Sequence, residues 1–260
     1  MKRSPRNTLL ALITLLGIAL AGPEHNSLLD GLQAHWTFEG CALLEQNRAF
    51  TFQANKATTC TPGKVDQAWV FAGVKSSNHL QTPIVTDSKQ GFAINLWFQI
   101  SSDQSMDGER QNSDFGAQAL FGKPDDRNGL NVRLERSRSN GQWYIYAGNG
   151  RCCDAKRNRV LGAESPRDGI RPGSWHMVSL NLNPKQNLIA LYLDGEQRAQ
   201  MPAKEFDLNP KGDRENLYLG ILGTAGWYPL HGMIDEISVY SRPLLAGEVA
   251  RLYTLEGAKN

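Results

Sequence analysis

Apolar and polar positions alternate in short runs along most of the chain. The clearest runs are Gln33–Glu39, Gln67–Gly73, Gly91–Ile100, Gly129–Glu135, Gln142–Gly148, Ser174–Asn183, Asn187–Asp194, Asn216–Leu222 and Gly232–Tyr240. Each is short, rich in aromatic or branched side chains, and bounded by Gly, Pro, Asn or Asp, which is the signature of a β-strand. In Ser174–Asn183, Trp175, Met177, Val178, Leu180 and Leu182 are set against His176, Ser179 and Asn181. Asn183–Asn187 reads as the turn of a hairpin. Helical spacing is convincing only near the C-terminus, where Ser241 is placed to cap, Pro243 suits a first turn, and Leu244, Leu245, Val249, Leu252 and Tyr253 recur on one side. Many strands, one terminal helix and no alternation of strand with helix predict an all-β fold of two antiparallel sheets packed as a sandwich. Two segments lack any period, Ser101–Gly116 and Asn149–Gly173. Loops of that length in a compact domain tend to carry function.

Charge changes this picture only after its location is considered. The chain has 28 Lys+Arg and 26 Asp+Glu, a formal charge of +2. Residues 1–21 contain Lys2, Arg3 and Arg6 and no acid, which leaves 25 bases against 26 acids elsewhere. The cationic start, the apolar run Leu9–Leu20 and the small-residue end Ala19-Leu20-Ala21 read as a secretory signal peptide. The apolar run is shorter than the roughly 20 residues that span a bilayer. The expectation is therefore a signal over 1–21, a lead-in over 22–32 and one domain over 33–260, secreted or periplasmic, with no membrane span after cleavage. A remainder so nearly neutral does not point to nucleic acid as a partner.

Export makes disulfides the default for Cys41, Cys60, Cys152 and Cys153, with three pairings open. A Cys41–Cys60 bond would close a loop of about 20 residues and contribute about 3 kcal/mol through the unfolded chain. Cys152 and Cys153 would then form a vicinal disulfide. No C-x-x-C spacing or neighbouring His supports zinc at the cysteines.

Several runs together resemble LamG-like jelly-roll domains of the concanavalin A-like lectin/glucanase superfamily. Ala34-His35-Trp36-Thr37-Phe38-Glu39-Gly40 is similar to their opening strand, and Gln67–Gly73 to their G-x-A-x-x-F-x-G strand. Gly91–Phe98, Trp175–Val178 followed by Leu191–Gly195, Leu217–Gly220, and Gly232–Ile237 with Tyr240–Leu244 match later family motifs in order. The resemblance implies a jelly roll with a short C-terminal helix, acting as a module that binds a glycan or a surface protein. It also implies a calcium ion, with Glu39, Asn47 and Asp235 as its ligands. The chain departs from the family where Cys41–Asn47 replaces an oxygen-rich stretch.

Candidate ligand contacts come from the loops. Trp227 and Tyr228 precede the last strand, and an aromatic face offers apolar contact to a sugar ring. Asn149–Gly173 is basic, and Arg151, Arg157 and Arg159 could clamp an anionic glycan through paired hydrogen bonds. The alternative is a polysaccharide-degrading hydrolase or lyase on the same sandwich. A retaining glycosidase needs two carboxylates about 5–5.5 Å apart. Asp235 and Glu236 are adjacent, so a regular strand sends them to opposite faces. Arg133-Leu134-Glu135-Arg136-Ser137-Arg138 resembles the Arg/Glu strand of sandwich lyases, but the partner strands of such a site are missing.

Overall fold

The computed structural model describes residues 27–54, 59–73, 79–102, 116–123, 129–150, 156–162, 164, 168–208, 210–222 and 228–258. The expected signal segment, Arg151, Cys152, Cys153 and Trp227 lie outside these residues. The strands are β1 (Leu32–Trp36), β2 (Gln53–Ala54), β3 (Cys60–Pro62), β4 (Gln67–Ala72), β5 (Leu80–Thr82), β6 (Phe92–Ile100), β7 (Ala117–Gly122) and β8 (Asn131–Arg136). They continue as β9 (Trp143–Gly148), β10 (Val160–Gly162), β11 (His176–Asn183), β12 (Leu188–Leu193), β13 (Glu196–Pro202), β14 (Leu217–Leu219) and β15 (His231–Tyr240). Among the described residues two α-helices follow strands, the single turn α1 (Ala203–Phe206) and α2 (Ala246–Gly257).

Two antiparallel sheets form a jelly-roll sandwich. The first runs β13-β12-β11-β6-β15-β4-β3, with β1 also on β15; the second runs β10-β9-β8-β7-β14-β5-β2. Alternation along each strand delivers one apolar face, and the two faces meet in a core that includes Trp36, Phe71, Phe98, Phe121, Leu180 and Ile237. The outer face of the first sheet is covered by α2. Val249 and Leu252 pack there with Trp97, Met177, Tyr192 and Tyr240.

One pair of motifs that carried the family resemblance has a local physical reason. His176 Nδ1 lies 2.8 Å from Asp194 Oδ2, and Asp194 Oδ1 accepts from Met177 N at 2.9 Å, so the W-H-x-V and D-G segments hold one hairpin together. Cys41 and Cys60 are bonded, tying the turn after β1 to β3. The helix starts later than the sequence suggests. Its N-cap is Leu245 rather than Ser241, and Leu245 N donates to Glu248 Oε2 at 2.8 Å. Ser241 and Arg242 instead fasten the segment before β1: Ser241 N donates to Gly31 O at 2.7 Å, and Arg242 Nε to Asp30 O at 2.9 Å. Among the described residues no helix is long and apolar enough to cross a membrane.

Candidate functional site

Among the described residues no helix covers the outer face of the second sheet, unlike that of the first. Strand register builds it row by row. Gln53, Gln81, Tyr218, Gly122, Asn131, Gly148 and Val160 are paired in sequence across every strand of the sheet. A second row holds Ala119, Arg133, Tyr146 and Gly162, and a third holds Ala117, Glu135 and Tyr144. The intervening Val132, Leu134, Ile145, Ala147 and Leu161 point into the core, so these rows face outward.

Small residues form the floor and planar polar groups lie on it. A Cβ at Gly148 would come within 2.7 Å of Arg133 Nη1, so the guanidinium rests on bare backbone. Tyr146 lies across Gly162 in the same way. Arg133 is pinned at both ends. Its Nε donates to Glu135 Oε1 at 2.6 Å, its Nη2 lies 2.5 Å from the same oxygen, and its Nη1 donates to Asn131 Oδ1 at 2.7 Å. Tyr146 Oη donates to the Glu164 carboxylate, and burial together with this bond pushes the phenol well above its ordinary range. Asn140 Nδ2 donates to Tyr144 Oη, which donates to Gln142 Oε1, both at 2.8 Å. Further along, Asn216 Nδ2 reaches Gln81 Oε1 at 3.4 Å, and the His79 and Tyr218 rings are 5.8 Å apart. Asn131, Tyr144 and Tyr218 are buried, so the face presents the Gln53, Gln81 and Gln142 carboxamides, the Glu135 and Glu164 carboxylates, the Arg133 guanidinium and the Tyr146 ring, groups that exchange hydrogen bonds with hydroxyls and contact C–H faces. Glu135 offsets Arg133, and the Glu164 carboxylate on Tyr146 leaves the centre formally negative.

Tyr228, in a left-handed conformation at φ 53°, borders this sheet: its carbonyl accepts from Ala119 N at 2.7 Å. The sequence pointed to Tyr228 but not to Arg133, Asn131 or Tyr146 as ligand contacts. The Arg/Glu strand was visible; that its neighbours present small residues beside it depends on register. The described part of the basic loop is organised differently from a clamp. Arg157 turns its fork on Asp207, with Nε 2.8 Å and Nη2 3.3 Å from the two carboxylate oxygens. Arg159 Nη1 donates to the carbonyls of Lys156 and Asn158. Asn149, fully buried, holds the loop by donating to Arg157 O and Phe206 O, each at 2.7 Å, and accepting from Arg159 N.

A second polar group lies beneath α2. Strand β15 pairs β4 up to Ile234 and β1 from Ile237, and between them its register shifts, with Glu236 at φ 46°. Ile234 and Ile237 both enter the core. Asp235 and Glu236 therefore occupy the same outer side, contrary to the opposite faces expected of a regular strand; the bulge is the cause. Both are buried, at 0% and 1% exposure, so they do not form an open acid pair. Asp235 Oδ2 accepts from Lys64 N and Val65 N, each at 3.0 Å, and Oδ1 from Glu236 N at 2.9 Å. Burial pushes its carboxyl up to about 8; the backbone donors oppose this, while the charges of Glu236 and Glu39 add to it. Asp235 thus spends both oxygens on backbone N–H groups, a use that competes with calcium ligation. Glu39 is partly buried, and Asn47 is exposed on a turn whose N–H groups at Asn47 and Ala49 are held by Glu45.

At the end of β7, Lys123 is 1% exposed and donates to Ile84 O at 2.6 Å and Asp213 O at 2.8 Å. Burial lowers its ammonium to about 8, partly countered by Asp213 and Glu215. Between that value and the ordinary lysine range the unfolded chain binds more protons than the folded one, so this group makes stability rise with pH. Urea unfolding at pH 8 and pH 10 should show the parent gaining about 1 kcal/mol or more relative to Lys123→Met. An unchanged difference between the two proteins would count against the depressed lysine.

A model of the concanavalin A-like lectin/glucanases superfamily, Laminin_G_3, matches residues 71–250. No curated protein matches the chain. Among solved structures, domain 4 of a GH43 extracellular arabinanase from Geobacillus stearothermophilus, in complex with arabinotriose, is 16% identical with a TM-score of 0.60. The alignment covers 85% of this chain and 98% of that domain. The binding domain of botulinum neurotoxin serotype G is 12% identical with a TM-score of 0.64, covering 86% of this chain and 51% of that one. The binding domain of botulinum neurotoxin DC in complex with SialylT is 8% identical with a TM-score of 0.64, covering 89% and 53%. The chain therefore spans about half the length of the toxin domains, and at these identities the likeness is one of fold. With strand order, sandwich core and matched residues in agreement, the chain belongs to the Laminin_G_3 family of the concanavalin A-like lectin/glucanases superfamily.

Proposed function

We propose that this protein is an exported, non-catalytic module that binds a neutral glycan across the outer face of the second sheet. The observation that carries this reading is the Asn131–Arg133–Glu135 network lying beside Tyr146 on a floor of glycine and alanine. Rigid planar groups lose little freedom on binding, and phenol rings supply area at low entropic cost. With Glu164 beside the charge-balanced Arg133–Glu135 pair, the face disfavours carboxylate or sulfate and favours hydroxyls as the groups bound. The arabinanase domain, a fold relative, is in complex with arabinotriose, which also supports a neutral sugar.

The test is a glycan array followed by calorimetry with neutral oligosaccharides, arabinotriose among them, and a uronate oligomer, with and without chelator. Binding to a neutral glycan is expected, weakened about tenfold or more by Arg133→Ala and unchanged by Arg157→Ala. Circular dichroism checks that both variants are folded. Absence of any glycan signal, or equal binding by Arg133→Ala, would sink the proposal. Release of reducing ends from a polysaccharide would instead favour the enzymatic alternative.

A further inference from the structure

Hydrogen bonding within the glycan face leaves a defined set of donors and acceptors open. A guanidinium has five N–H donors in one plane, and a carboxylate accepts at both oxygens. Glu135 Oε1 accepts twice from Arg133, from Nε at 2.6 Å and from Nη2 at 2.5 Å. Asn131 Oδ1, on the other side of Arg133 along β8, accepts from Nη1 at 2.7 Å. One N–H on each terminal nitrogen therefore remains, two neighbouring donors in the same plane. Both bonds to Glu135 fall on Oε1, so Oε2 has no donor among the described residues.

These open groups are held still. Arg133 is clamped between Asn131 and Glu135, and its side chain is only 14% exposed, against 39% for Glu135. Tyr146 stands directly opposite Arg133 across β8 and β9, which puts their Cβ atoms about 5 Å apart. Tyr146 Oη is occupied by Glu164, and the ring is left for C–H contact. Ring, guanidinium and carboxylate oxygen thus lie together on the scale of a single sugar unit.

A hydroxyl both donates and accepts. Two hydroxyls on adjacent carbons give the two N–H groups one oxygen each, and one of them donates its proton to Glu135 Oε2. A lone hydroxyl fills one donor and leaves the other, largely buried, without an acceptor. A sugar carboxylate would fill both, but it brings a negative charge toward Glu135 and Glu164, which repel it. We infer, on the basis of the glycan function proposed above, that Arg133 and Glu135 select neutral glycans whose units keep two adjacent free hydroxyls. Linkage then decides recognition. Units of 1,5-linked arabinofuranose, or of 1,4-linked xylose or glucose, keep the hydroxyls at carbons 2 and 3, whereas a 1,3-linkage removes one of the pair.

The experiment is calorimetry on the full mature protein with 1,5-linked arabinan, 1,4-linked xylan and 1,4-linked glucan, and with 1,3-linked glucan and xylan of matched length. At least one of the first three should bind about tenfold or more tightly than either 1,3-linked polymer. Periodate, which cleaves the bond between adjacent hydroxyl-bearing carbons, should abolish binding to that polymer. Glu135→Gln keeps an oxygen for Arg133 but puts a donor where the open acceptor was, and should weaken the preferred polymer about tenfold. In Arg133→Lys, which loses the paired donors, the preference over 1,3-linked polymers should shrink to within about threefold. Circular dichroism checks that both variants are folded. A 1,3-linked polymer that binds as tightly as the others, while Arg133→Ala weakens both, overturns the selection and leaves the glycan face standing. Undiminished binding by Glu135→Gln overturns it too. Failure of every neutral polymer to bind removes the glycan function itself, and this selection with it.

Discussion

Asp235→Ala should remove about 3–5 kcal/mol of stability, read from urea unfolding, and no other single change to a polar side chain described above should cost as much. Three backbone donors, Lys64 N, Val65 N and Glu236 N, converge on this carboxylate and would lose their acceptor together. Each orphaned donor costs about 1–3 kcal/mol where water cannot follow, and partial wetting of the loop keeps the total below a simple sum. The site cannot relax by collapse. Gly63 already sits so close that a Cβ there would come within 2.7 Å of Asp235 Oδ2 and of the backbone at Ala68. Asp235→Asn should fall between, since one amide oxygen still accepts two of the donors. A loss below about 1 kcal/mol for Asp235→Ala would mean that β4 and β1 hold their places on β15 without this plug.

Arg242→Lys should cost about 2–3 kcal/mol although the charge is kept. Arg242 Nη2 and Nη1 meet Glu248 Oε1 and Oε2 at 2.7 and 2.8 Å, while Nη1 also reaches Pro243 O and Nε reaches Asp30 O. One planar fork thus joins the segment before β1 to the first turn of α2. An ammonium cannot span those acceptors, and Glu248 would keep its bonds from Leu245 N and from the Ser27 side chain. A double-mutant cycle of Arg242→Lys with Glu248→Gln should show coupling of about 1–2 kcal/mol; additivity would place the cost elsewhere.

Much of the sandwich was legible because inward and outward positions alternate in the long strands, and each expected run overlaps a strand. The strands that escaped are those whose pattern is weak. β7 runs from Ala117 to Gly122, and its Ala117, Ala119 and Gly122 are small residues of low β propensity made part of a strand by burial between β8 and β14. β13 is a polar edge strand, and β10 is three residues inside what the sequence shows as a loop. The candidate face was hidden in part for the same reason, since β7 and β10 supply much of its floor beside the legible β9. Arg133 and Glu135 could be seen to share a side of one strand, yet Tyr146 and Gly162 join them only through cross-strand register. The bulge at Asp235–Glu236 has no local signal, because it arises where two separate strands share one edge of β15.

That position of β15 governs how the chain can come to be folded at all. It lies in the middle of the first sheet, between β6 on one side and β1 and β4 on the other, and its partners on β1 are some two hundred residues earlier in the sequence. Such high contact order makes folding slow and leaves few stable partial structures. Until residue 240 has been synthesised the first sheet is split, and the growing chain has no way to close its core. A nascent chain of this kind stays threadable until its last strand arrives, and any truncation before β15 should yield aggregates rather than a smaller folded unit.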